Sequence, residues 1–158
     1  VDITKNWEHA TIAAANNNGS KVETELVRGY VAPTEQRLLN DLMDLYKKHG
    51  CRAIALDDRQ LPSLAKRLKA NGLTVWQLWT KEVSAACSAA YAAFAAGEVV
   101  HANDATLVAQ MPNGLSKYTG ETWLISREES AGDIDAVLST VFAIYVATRS
   151  NTPSVQVF

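Results

Sequence analysis

Five aspartates fall where the chain passes from one kind of element to the next: Asp2, the adjacent pair Asp57 and Asp58, and Asp133 with Asp135. Asp2 lies between Val1 and Ile3 in a segment that reads as a strand, where a carboxylate is costly unless something compensates it. Asp57 and Asp58 close the short apolar run that begins at Arg52, and Asp133 and Asp135 open a long apolar stretch. Carboxylates brought together repel one another and raise each other's pKa unless a cation neutralises them. Oxygen-only ligands of this kind suit hard cations, Mg²⁺ or Mn²⁺. Two such ions roughly 3.5–4 Å apart activate a water and stabilise the leaving oxygen of a phosphodiester. That is the chemistry this residue set points to.

Each acid also has a plainer reading. Asp133 is placed to cap the helix that follows, and Asp135 could complement the dipole of its first turn. The residues Ala136 and Val137 after Asp135 indicate an inward-facing position instead. Asp57 and Asp58 could be a solvated turn, and Asp2 a terminal residue to which polarity costs little. Other sets are poorer. Ser84, Ser88, Ser126 and Ser139 lack a nucleophile-elbow setting, and His9, His49 and His101 have no metal-ligand spacing. Cys51 and Cys87 stand apart with no CxxC, which argues against structural zinc or a disulfide framework and for buried thiols in a reducing compartment. Lys66, Arg67 and Lys69 form the compact basic patch, read first as a solvated helix face.

The elements that must position the acids follow from periodicity and punctuation. Val1 to Ile3, His9 to Ala15 and Val22 to Val31 read as a three-stranded antiparallel meander, with Asn16-Asn17-Asn18-Gly19 as a strong turn. Thr34 caps a helix carrying Leu38, Leu39, Leu42, Leu45 and Tyr46 at helical spacing, and Gly50 ends it. A strand into Asp57, a helix over Leu61 to Ala70, a strand over Leu73 to Trp79 and an Ala-rich helix over Lys81 to Gly97 come next. Trp76 and Trp79 then fall on opposite strand faces, one of them toward the core. A short extended piece, His101, a helix around Asp104 to Met111, a strand over Glu121 to Ser126, a charged loop and a helix to about Arg149 complete the order. The expected fold is α/β: a mixed sheet, the meander followed by parallel strands, with helices on both faces.

At 158 residues the chain fits one domain over residues 1–150 with a tail over 151–158, and no apolar run is long enough to cross a bilayer. The 47% hydrophobic and 20% charged composition is that of a globular protein. The formal charge of −2 lacks the basic surplus of a protein that grips nucleic acid unaided.

The opening VDITKNWEHATIAAA, the segment CRAIALDD, the stretch GEVVHANDATLVAQ and the ending GDIDAVLSTVFAIYVATR occur in one order. That order resembles the C-terminal nuclease domain of phage terminase large subunits, within the ribonuclease-H-like superfamily, over nearly the whole chain. The resemblance implies an endonuclease that cuts concatemeric double-stranded DNA during packaging, with two Mg²⁺ or Mn²⁺ ions. It implies Asp2, Asp57 in preference to Asp58, and Asp135 as catalytic metal ligands, with Asp133 either the alternative to Asp135 or a further ligand beside it. Asp58, His101 and Asp104 are secondary candidates; Asp104 is equally placed to cap its own helix. Implied partners are double-stranded DNA, a packaging ATPase domain, a small terminase subunit and a portal, in the cytoplasm of a bacterial host and with no membrane. The chain departs from the family's large subunit in having no GxxxxGK[ST] loop, so the ATPase must come from elsewhere. A junction-resolvase-like nuclease, or an inactive ribonuclease-H-like docking module, would also fit the element order.

Overall fold

The turn at Asn17 to Lys21 joins the two long strands that precede Pro33. Asn17 Oδ1 accepts from the Gly19 amide at 2.9 Å, Asn18 Oδ1 accepts from the Ser20 and Lys21 amides, and Gly19 takes φ +94°. Only glycine adopts that backbone without steric cost. The turn joins β2 (His9–Asn17) to β3 (Val22–Val31), and β1 (Asp2–Ile3) pairs on the other side of β2, giving the expected antiparallel meander. These features come from a computed structural model that describes residues 1–149. The expected tail over 151–158 lies outside the described residues.

Past the meander run α1 (Glu35–His49), β4 (Ile54–Asp57), α2 (Pro62–Ala70), β5 (Val75–Leu78), α3 (Thr80–Ala95) and β6 (Val99–His101). Then come α4 (Ala105–Gln110), β7 (Leu115–Thr119), β8 (Thr122–Ser126) and α5 (Asp135–Arg149). Thr34 caps α1 by accepting from the Arg37 amide at 3.2 Å, and Gly50 ends it in the left-handed region at φ 60°. β7 was not expected. It pairs with β8 as a hairpin through the two-residue connection Gly120-Glu121, a turn that favours glycine first.

The expected single mixed sheet is divided into three sheets among the described residues. β6 runs parallel to β3, extending the meander to β1-β2-β3-β6; β4 and β5 pair parallel to each other; β7 and β8 stand as their own hairpin. β1 offers only two ladder residues, and beside β4 it makes one backbone bond, from the Val1 nitrogen to Ala55 O at 2.9 Å. That contact seats β1 next to β4 without forming a ladder.

Strand alternation sorts the side chains into two cores. Val1, Ile3, Ala10, Ile12, Ile54 and Leu56 join Leu38, Leu39 and Leu42 of α1 and Leu64 and Leu68 of α2. Ala55, Leu78 and Val22 turn the other way, to α3 and to Leu138, Val141 and Phe142 of α5. Helices therefore cover both faces. α5 is buried along nearly its whole length, as a helix apolar on all sides must be. Trp76 packs against the α3/α5 core, and Trp79 is exposed ahead of α3.

Candidate metal centre

The alternation that fills the cores also aims the acids. Asp2 lies between two residues that face α1 and α2, so it faces α5, and Thr11, its direct partner on β2, shares that face. Asp57 is two residues from Ala55 and points the same way. Asp2 and Asp57 are completely buried, and Asp135, at the first turn of α5, is 2% exposed.

Asp2 and Asp57 meet at one guanidinium. Arg127, directly after β8, places Nη1 2.5 Å from Asp2 Oδ2 and Nη2 2.5 Å from Asp2 Oδ1, a bidentate pair. Nη1 also donates to Ile3 O at 3.2 Å, and Nη2 lies 3.6 Å from Asp57 Oδ2. Asp57 is held as well by Arg59, through its amide and Nε on Oδ1 and its Nη2 on Oδ2 at 3.0 Å. Burial pushes the Asp2 carboxyl above its ordinary pKa, and Arg127 offsets part of that rise. For Arg127 burial opposes the charge, but Asp2 and then Asp57 outweigh it and hold its pKa above the usual value.

Asp135 is tied to the same cluster by neutral donors. The Thr11 hydroxyl donates to its Oδ2, and Gln110 Nε2 donates to its Oδ1 at 2.9 Å. Gln110 uses its other end too, Oε1 accepting the Ala136 amide at 2.8 Å and so capping α5. The capping role open to Asp133 is thereby taken by Gln110. Asp133 sits at the rim, 41% exposed, with its Oδ2 2.7 Å from His9 Nδ1, a contact without hydrogen-bond alignment.

The secondary candidates separate from this group. Asp58 is buried but turns aside to accept from Gln77 Nε2. Asp104 caps α4, accepting the Thr106 and Leu107 amides. His101 is exposed on β6 beside Thr24 of β3, which pairs with Ala15; Ala15 is four residues, roughly 13 Å, along β2 from Thr11. In the basic patch, Arg67 pairs with Glu35 and Lys69 reaches Gln77, while Lys66 is exposed. Arg127, Arg59, Thr11 and Gln110 are the site residues that sequence reasoning missed.

Whether a divalent ion suits this cluster can be read from its charges. Asp2, Asp57 and Asp135 are buried oxygen donors, and Asp135 has no ion pair among the described residues. Donor type and surplus negative charge fit a hard cation. The present arrangement does not offer one shared position: among the described residues no three His, Cys, Asp or Glu side chains are gathered to hold an ion. The reason is local. Arg127 stands between Asp2 and Asp57 and holds both oxygens of Asp2, while Arg59 holds both oxygens of Asp57.

An α/β domain with helices on both faces and buried carboxylates on adjoining strands and a last helix is the class of protein that these observations define. Among solved structures, the chain has the fold of phage large-terminase nucleases. It matches the large terminase nuclease from thermophilic phage G20c with bound cobalt at TM-score 0.62 and 17% identity, covering 91% of this chain and 84% of that one. It matches the Thermus phage P74-26 large terminase nuclease domain at TM-score 0.58 and 20% identity, over 90% of this chain and 81% of that one. The HK97 bacteriophage large terminase matches at TM-score 0.67 and 10% identity, with 92% of this chain covering 41% of that one. No family model and no curated protein matches the chain by sequence. No helix among the described residues is long and apolar enough to cross a membrane.

Proposed function

We propose that this chain is the metal-dependent endonuclease domain of a phage or prophage terminase large subunit, cutting concatemeric double-stranded DNA during genome packaging. One observation carries the reading: Asp2, Asp57 and Asp135, from two strands and the last helix, are buried on one face of a fold shared with solved terminase nucleases. The G20c nuclease has been solved with cobalt and with magnesium, which supports a divalent ion here.

In this reading Asp2, Asp57 and Asp135 hold Mg²⁺ or Mn²⁺, two ions, with Asp133 joining from the rim. When bound, the ions supply an activated water and neutralise charge on the phosphodiester. The protein's own part is positioning. Gln110 and Thr11 fix the Asp135 carboxylate, and the two cores seal Asp2 and Asp57 from bulk water. Half-exposed Arg59 and exposed Lys5, which shares the cleft of Asp133 and Asp135, offer positive charge to backbone phosphates. Since the chain's net charge is −2, grip on DNA falls to partners: the packaging ATPase, the small terminase subunit and the portal, in the bacterial cytoplasm.

The test is cleavage of supercoiled plasmid in Mn²⁺, Mg²⁺ or EDTA by the natural chain and by Asp57→Asn. Nicking and linearisation that need metal and vanish in Asp57→Asn are expected. A folded chain that neither cleaves DNA nor binds Mn²⁺ in calorimetry would refute the proposal and leave a docking module.

A further inference from the structure

We propose that Arg127 is a resident cation that a divalent ion must displace, so that this guanidinium sets the metal affinity of the site. The inference rests on the metal-dependent reading above. Its footing is the bidentate grip of Arg127 on both Asp2 oxygens, each at 2.5 Å, together with its 3.6 Å approach to Asp57. An ion bound to Asp2 needs at least one of those oxygens at about 2.0–2.1 Å for Mg²⁺. A planar guanidinium already fills the space in front of both, and two positive groups cannot share it.

The surroundings are built for departure. Arg127 opens the non-helical, non-strand segment between β8 and α5, and its side chain, 15% exposed, lines a cleft of about 160 Å³ with Lys5, Asp133 and Asp135. Leaving Asp2, it has that cleft to turn into. Asp57 does not depend on it, because Arg59 supplies three contacts of its own. In the metal-free protein Arg127 balances charge that would otherwise be buried unpaired. Arg127 is thus a positioning residue rather than a catalytic one.

The experiment is Mn²⁺ calorimetry on the natural chain, Arg127→Gln and Arg127→Lys, with melting temperatures taken in EDTA. If Arg127 occupies the site about nine-tenths of the time, it weakens the apparent Kd about tenfold. Arg127→Gln is expected to bind Mn²⁺ tighter by at least about that factor while melting lower in EDTA, since a merely structural role would not tighten metal binding. Arg127→Lys keeps the charge but loses the fork, so its affinity is expected between the two; that gain separates occupancy from plain charge. Unchanged or weaker binding by folded Arg127→Gln overturns the inference and leaves the metal reading intact. No binding by either the natural chain or Arg127→Gln overturns both. Should the variants fail to fold, the natural chain decides by side-chain NMR of its arginines. Saturating Mg²⁺ is expected to shift the Arg127 Nε–H signal and free its Nη rotation, and an unmoved signal at saturation overturns the inference.

Discussion

Replacing Gln110 by Ala removes one side chain that does two jobs at the head of α5. Its Nε2 donates to Asp135 Oδ1 at 2.9 Å, and its Oε1 accepts the Ala136 amide at 2.8 Å. Gln110 is only 8% exposed, and Asp135 and Ala136 are buried, so water does not readily substitute. The lost bond to a charged group is worth about 1.5–3 kcal/mol, and a stranded buried amide costs about 1–3 kcal/mol. The two losses share a site and do not simply add, so about 3 kcal/mol is expected. For a domain of this size that lowers Tm by roughly 6–12 °C. Scanning calorimetry in EDTA, at matched protein concentration, measures it. A control, Gln110→Glu, retains an acceptor for Ala136 but sets a second carboxylate against Asp135, and should melt no higher than Gln110→Ala. If Gln110→Ala melts within about 2 °C of the natural chain, the assignment of Gln110 as cap and anchor is wrong.

Two other outcomes follow from single groups. Thr140 Oγ1 is buried with no hydrogen-bond partner among the described residues, so Thr140→Val should stabilise the chain by about 1 kcal/mol in urea unfolding; a loss of stability would show that the hydroxyl is satisfied. Burial, and then the hydrogen bond to Asp41, push the Tyr30 phenol up from 10.0 to about 12. A folded pKa above the unfolded one gives stability that is complete below pH 10.0 and lost as pH rises toward about 12. Phenolate absorbance should therefore show one tyrosine titrating late, and Tyr30→Phe should abolish that late step.

The acids were legible in the sequence because alternation in strands is a local rule. Asp2 between two apolar neighbours, and Asp57 two residues beyond Ala55, are put on one face by parity alone. The same parity turns Asp58 away from Asp57, toward Gln77. Caps were legible too, Thr34 and Asp104 among them. What stayed hidden depends on distant partners. Arg127 reads as one charge in a charged loop, and nothing local says that Asp2 lies across from it. Gln110 reads as the polar end of a short helix, although it is buried against α5. β7 escaped because Leu115 to Thr119 is mostly exposed and lacks an apolar face, so only the Gly120-Glu121 turn marked it.

The enclosure of α5 makes the site mechanically lopsided. A helix packed on nearly every side cannot slide or roll without opening both its contacts with the sheet and those with α3, and interiors this dense transmit force rather than absorb it. Asp135 rides on that helix and behaves as the fixed jaw of a clamp. Arg127 and Asp133 belong to the irregular segment leading into it, which carries the exposed residues Glu128, Glu129, Ala131 and Gly132. The site thus leans on two unlike supports, a helix enclosed by packing on one side and, on the other, an exposed segment that Ser130, Ala131 and Asp133 tie to Ser126 and Asn113 by hydrogen bonds.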